Sequence, residues 1–129
     1  MKGELRMRGG ERLNGEWHDD HFNGQGTITY PNGNVYEGEW KQNLPTSFGV
    51  MKYRDGSIYN GQWDLGRRFG NGIMHYKNGD IYEGEWIDDK RNGYGVFTIK
   101  DRGVYEGEWK DDMMNGQGIL NHILNGQRI

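Results

Sequence analysis

Five tryptophans, Trp17, Trp40, Trp63, Trp86 and Trp109, stand 23 residues apart at every step of this 129-residue chain. A fixed period of that length is the mark of one small unit copied and stacked, each copy too small to bury its own apolar face. The other landmarks keep the same step: Tyr36, Tyr59, Tyr82 and Tyr105 lie four residues before a Trp, with Gly38, Gly61, Gly84 and Gly107 between them. A second glycine series follows at Gly26, Gly49, Gly72, Gly95 and Gly118. Only the first unit departs, with Leu13 in place of Tyr. The chain therefore divides into a partial repeat over 1–12 and repeats at 13–35, 36–58, 59–81, 82–104 and 105–127, forming a single array with no linker.

Each unit carries two runs of period two, the pattern of strands. In the first, Tyr82, Gly84 and Trp86 point to one side and Glu83 and Glu85 to the other. In the second, Gly72, Met74 and Tyr76 share a face, as do Gly49, Met51 and Tyr53. Asn32-Gly33, Asp55-Gly56 and Asn78-Gly79 join successive units and predict two-residue hairpin turns with positive φ at both central positions. Asp101-Arg102-Gly103 predicts a three-residue turn instead. The link within a unit, such as IDDKRNGYG after Trp86, reads as a longer polar loop. Ser47, where other units have Gly24, Gly70, Gly93 and Gly116, predicts with Pro45 a reshaped loop. By phase, the array opens on a strand from Glu4 to Arg8 and closes near Ile119 to Leu124, giving about eleven strands. The expected fold is all-β: an elongated single-layer ribbon, or solenoid, of consecutive antiparallel hairpins.

The chain has 23 Gly and only 33% apolar residues, which excludes a thick aliphatic core. Its aromatics, 13% of the sequence and regularly placed, must carry the burial. A glycine between Tyr and Trp leaves bare backbone on which a ring from the neighbouring unit can lie. The net charge of −3, with both signs interspersed, gives no field that would draw nucleic acid. Cysteine is absent, which removes disulfides and thiolate metal sites and fits a reducing compartment. No run approaches the roughly 20 apolar residues of a membrane-spanning helix, and a cytoplasmic location is expected.

Units reading Y-E-G-E-W, a polar loop, N-G-x-G, a short strand and an Asn-Gly or Asp-Gly turn resemble the MORN (membrane occupation and recognition nexus) repeat. That resemblance implies a non-catalytic scaffold that binds protein partners in a groove, within cytoskeletal, ciliary or membrane-apposed assemblies. It also leaves open an accessory domain of a larger enzyme, since such arrays occur beside catalytic domains.

For a protein partner, an extended peptide or a helix, the candidate groove is aromatic. Tyr30, Tyr53 and Tyr76 form its rim beside Tyr36, Tyr59, Tyr82 and Tyr105 and the indoles of Trp40, Trp63, Trp86 and Trp109. The opposite face carries Glu16, Glu37, Glu39, Glu83, Glu85, Glu106 and Glu108, interrupted at Asn60 and Gln62; it is either solvated or suited to a basic partner. Arg67, Arg68, Lys90 and Arg91 occupy equivalent loops and are candidates for acidic phospholipid, although four to eight clustered basic residues are the usual requirement. The uncharged stretch GILNHILNG predicts a strand that pairs outside the array, for example in a homodimer, whereas Lys2, Glu4, Arg6 and Arg8 charge the opposite edge. No metal or cofactor is expected. Asp88-Asp89 and Asp111-Asp112 suit turns, HDDH at 18–21 lacks a third ligand, and Ser47 and Ser57 have no histidine at a repeated position.

Overall fold

Among the described residues the period-two runs form twelve strands in one antiparallel sheet whose spatial order is the chain order. The computed structural model describes residues 2–18, 21–42, 44–124 and 127–128, with side chains at 3–16, 24–42 and 44–115. The strands are β1 (Lys2–Arg6), β2 (Arg12–His18), β3 (His21–Thr29), β4 (Val35–Lys41), β5 (Leu44–Lys52) and β6 (Ile58–Asp64). They continue as β7 (Arg67–His75), β8 (Ile81–Ile87), β9 (Lys90–Ile99), β10 (Gly103–Lys110), β11 (Met113–Leu124) and the two-residue β12 (Gln127–Arg128). No helix occurs among the described residues. The first strand runs from Lys2 to Arg6, two residues earlier than the sequence implied, because Met7 to Glu11 form a turn of the same kind as Tyr30 to Asn34. β12 pairs only with Ile123 and Leu124 of β11, and the side chains at this end lie outside those described, as do those of HDDH.

Register is uniform across the ribbon. Ile28 faces Tyr36, Tyr36 faces Met51, Met51 faces Tyr59, and the row continues straight through Met74, Tyr82, Phe97 and Tyr105. The glycines form a parallel row, Gly38 opposite Gly49, Gly49 opposite Gly61, and so on to Gly107.

Turn chemistry is the reverse of the sequence expectation. Between units, Tyr30 N–H bonds Asn34 O at 2.9 Å and Gly33 N–H bonds Tyr30 O at 3.0 Å, enclosing a three-residue loop with positive φ at Gly33 alone. This is a tight turn followed by a left-handed glycine, and Gly56 and Gly79 repeat it. The turn before β10 also holds three residues, 100 to 102, with its positive φ at Asp101. Within units, where a long loop was expected, two residues suffice. Asp88 and Asp89, like Asp111 and Asp112, both have positive φ between paired strand ends, which is the turn that matches strand twist. Aspartate tolerates this backbone, so the paired carboxylates are turn formers.

The extra residues of each supposed loop form a bulge. Gly84 pairs with Gly95 but Trp86 pairs with Arg91, so Glu85 alone stands against three residues of β9. The bulge needs a left-handed residue, supplied by Gly24, Gly70 and Gly93 with φ of 97°, 69° and 95°. Ser47 takes the same conformation, φ 59°, and Trp40 faces Pro45 as Trp63 faces Arg68. The second unit is thus not reshaped; serine accepts a backbone that glycine would occupy without steric cost. Ser47→Gly is expected to stabilise the fold by about 1 kcal/mol, measured by urea unfolding; an unchanged or lowered midpoint would contradict this account.

Candidate functional site: the aromatic face and its rim

The front face of the sheet is the core. Tyr36, Tyr59 and Tyr82 are fully buried, and Trp40, Trp63, Trp86, Tyr105 and Trp109 nearly so. These eight rings are therefore not a contact surface as the sequence reading had it, because their area is used between units. The rings of Tyr36, Tyr59 and Tyr82 each lie over the two glycines of their own and the next strand: a Cβ built on Gly84 would stand 2.8 Å from the Tyr82 hydroxyl, and one on Gly95 would enter the ring. The seated ring therefore comes from the same strand, not from the neighbouring unit. What crosses between units is the edge-on stack. Tyr36 meets Trp40 at 5.2 Å and Trp63 of the next unit at 5.3 Å, and Tyr59 and Tyr82 repeat the pattern.

Hydrogen bonds fix the rings in place. The Tyr82 hydroxyl donates to Glu85 O at 2.8 Å, and Tyr36, Tyr59 and Tyr105 do the same at Glu39, Gln62 and Glu108. Trp63 Nε1 donates to Gly49 O at 3.1 Å, and Trp40 and Trp86 follow suit at Gly26 and Gly72. Trp109 Nε1 is buried without a partner among the described residues; Phe97, which replaces Met51 and Met74 at that position, has its ring centroid 5.6 Å from that of the indole. Burial pushes the phenols of Tyr36, Tyr59 and Tyr82 well above their ordinary value.

Two groups singled out in the sequence have structural work. The Glu85 side chain accepts the N–H of Tyr94 across the bulge, and Gln62 accepts that of Asn71 at 2.7 Å. Gln62 thus fills the same acceptor role as Glu85, although as an uncharged side chain it still leaves the gap in the row of carboxylates. Of the other carboxylates, Glu37, Glu83 and Glu106 face Val50, Ile73 and Val96, which places carboxylate-bearing strands two or more apart and weakens their repulsion. Arg68 and Arg91 are staples. Arg68 Nε lies 3.2 Å from Asp89 Oδ1, its Nη2 donates to Asp89 O at 2.9 Å, and its guanidinium covers the Trp86 ring at 4.7 Å. Arg91 does the same with Asp112 and Trp109. Of the four proposed lipid contacts, two are thus spent between units, Arg67 lies 3.5 Å from Asp88, and only Lys90 has no ion pair among the described residues.

What remains accessible is a row along the margin of the front face. Tyr30, Tyr53 and Tyr76 are half-buried against the core and their hydroxyls donate to no described protein group. Burial raises the pKa of all three. Arg68 reaches to 5.9 Å from the Tyr53 ring, so the turn-side and tip-side margins meet over the indoles. A second register of contacts joins the turns: Asn34 Oδ1, Ser57 Oγ and Asp80 Oδ1 accept the N–H of Arg54, Lys77 and Lys100 in the following unit. Sequence reading missed these latches, although a polar residue directly after the turn glycine repeats at 23-residue spacing.

Among solved structures, the chain is similar to the TCP domain of Drosophila melanogaster SAS-4 (dCPAP), solved in complex with a proline-rich motif of Ana2 (dSTIL). Identity is 16%, the TM-score is 0.41, and the match covers 99% of this chain and 87% of that one. Comparison with curated proteins gives no match. The family profile for the MORN repeat matches five consecutive segments, residues 14–35, 36–58, 59–81, 82–104 and 105–120. With most of its length matched in phase with the observed hairpins, the chain belongs to the MORN repeat family.

Proposed function

We propose that the array is a non-catalytic protein-interaction module, a scaffold that presents a groove margin to a peptide or helix of a partner. The observation that carries this reading is the straight row of Tyr30, Tyr53 and Tyr76, half-buried, with hydroxyls that have no partner among the described residues. Aromatic residues with a polar tip are the usual anchors of interfaces. Ser57 acts as a turn latch and Asp88, Asp89, Asp111 and Asp112 as turn residues, so these groups support a scaffold better than a catalyst. A cytoplasmic place in cytoskeletal, ciliary or membrane-apposed assemblies rests on the family resemblance. The acidic-phospholipid alternative is weakened by the pairing of Arg68 and Arg91.

Proximity labelling in cells with the intact array and with Tyr30, Tyr53 and Tyr76 changed to Ala tests the reading. The variant, shown folded by its thermal melt, is expected to lose specific partners. An unchanged partner set from a folded variant would overturn it.

A further inference from the structure

The tyrosine margin has a period, and that period selects among the backbone conformations a bound peptide can adopt. Successive tyrosines stand directly after the last residues of β3, β5 and β7, Thr29, Lys52 and His75, and the register between those strands runs straight across the sheet. They are therefore two strand spacings apart, about 9.6 Å. A polyproline-II helix repeats every three residues and advances about 9.3 Å per turn, so it lies across the strands almost in step with the units. An extended strand repeats its facing side chains at about 6.7 Å and an α-helix of seven residues advances about 10.5 Å, so both drift out of register.

Beside the tyrosines runs a second row of the same period. Arg54, Lys77 and Lys100 each occupy the first position of a turn, immediately after Tyr53, Tyr76 and Ile99. They are exposed and make no ion pair among the described residues. The neighbouring acids are engaged by the turns: Asp55 accepts the N–H of Ser57 at 2.8 Å and Asp80 that of Lys100 at 2.9 Å. Tyr53 and Arg54 line one hollow of about 400 Å³ together with Asn32, Asn34 and Asp55. Aromatic ring, hydroxyl and cation thus stand together at Tyr53-Arg54 and at Tyr76-Lys77, while Tyr30 precedes Pro31 and Lys100 follows Ile99, so the cation row runs one unit further along the array than the tyrosine row.

We infer that this margin takes an acidic polyproline-II segment of a partner protein, with proline rings on Tyr30, Tyr53 and Tyr76 and carboxylates toward Arg54, Lys77 and Lys100. The inference rests on the reading of the tyrosine row as a contact surface and specifies its occupant. With three residues per turn, every third side chain falls on one edge of the peptide, so prolines and acids present two adjacent stripes that match the two rows. Polyproline II has no internal hydrogen bonds, leaving its carbonyls to accept from the tyrosine hydroxyls. Its stiffness lowers the ordering cost of binding.

The test uses the full chain and a nonapeptide of three Pro-Pro-Glu triplets, with a Pro-Pro-Lys nonapeptide and a helix-forming acidic peptide as comparisons, by calorimetry or fluorescence anisotropy. The Pro-Pro-Glu peptide is expected to bind at least tenfold more tightly than either comparison and to weaken as salt rises. Tyr53→Phe should weaken it several-fold. Changing Arg54, Lys77 and Lys100 together to Glu, on exposed positions that leave the core untouched, should reverse the preference toward Pro-Pro-Lys. Equal binding of the two proline peptides, or a preference that survives the charge reversal, would overturn the inference. Tighter binding of the helical peptide would overturn it while leaving the scaffold reading intact. If no peptide binds and the tyrosine-to-alanine array keeps all its partners in cells, both readings fail.

Discussion

Gly84→Val is expected to destabilise the array by about 3 to 5 kcal/mol, a cost at the upper end for overfilling a packed site. A Cβ at this position would stand 2.5 Å from the Gly95 Cα and 2.6 Å from the Tyr94 carbonyl oxygen. Both are backbone atoms, so no rotamer change relieves the contact. The Tyr82 ring would also have to leave its seat, which breaks its hydroxyl's bond to Glu85 O. Glu83→Val, on the exposed face of the same strand, provides the comparison and should change stability by less than about 0.5 kcal/mol. Chemical unfolding of the two variants decides it. Equal midpoints would mean that the glycine row does not seat the rings.

Trp63→Ala should cost a similar amount, about 3 to 5 kcal/mol, but with a different signature. The indole is 4% exposed, meets Tyr36 of the preceding unit at 5.3 Å and Tyr59 of its own at 5.1 Å, and donates to Gly49 O. Its loss therefore empties the junction between the second and third repeats. In a stacked array stability is a sum of unit and junction contributions, and a weak junction divides cooperative unfolding in two. Unfolding followed by circular dichroism and tryptophan fluorescence should show a single transition in the parent and two in the variant. A single transition at the parental midpoint would show that neighbouring repeats do not depend on the shared ring.

The repeat, its period and the facing of its side chains were legible because one strand pattern recurs and alternation of side chains leaves no choice of face. The turns were not. Asn-Gly and Asp-Asp both tolerate left-handed backbone, and only the bulge, which shortens the apparent loop after Trp86 to two residues, decides which pair forms the two-residue turn. The roles of Glu85, Arg68 and Arg91 were hidden for a different reason. In sequence they read as exposed charges, and their partners, the Tyr94 amide, Asp89 and Asp112, become neighbours only when strands pair or units stack. The aromatic groove was half legible: the pattern identified every ring, but only the stacking separates Tyr30, Tyr53 and Tyr76 at the margin from the eight rings beneath.

The straight rows of paired residues carry a geometric consequence. A sheet can curl round and seal on itself only if its strands are staggered, so that the first and last meet after a fixed offset. Here the pairing from Ile28 through Tyr105 accumulates no offset, because each bulge is confined to the hairpin tip. Such a ribbon has no preferred number of units. Insertion or deletion of a whole 23-residue unit would change its length by about 9.6 Å and leave every remaining junction as it was, which makes span a quantity that evolution can adjust in discrete steps.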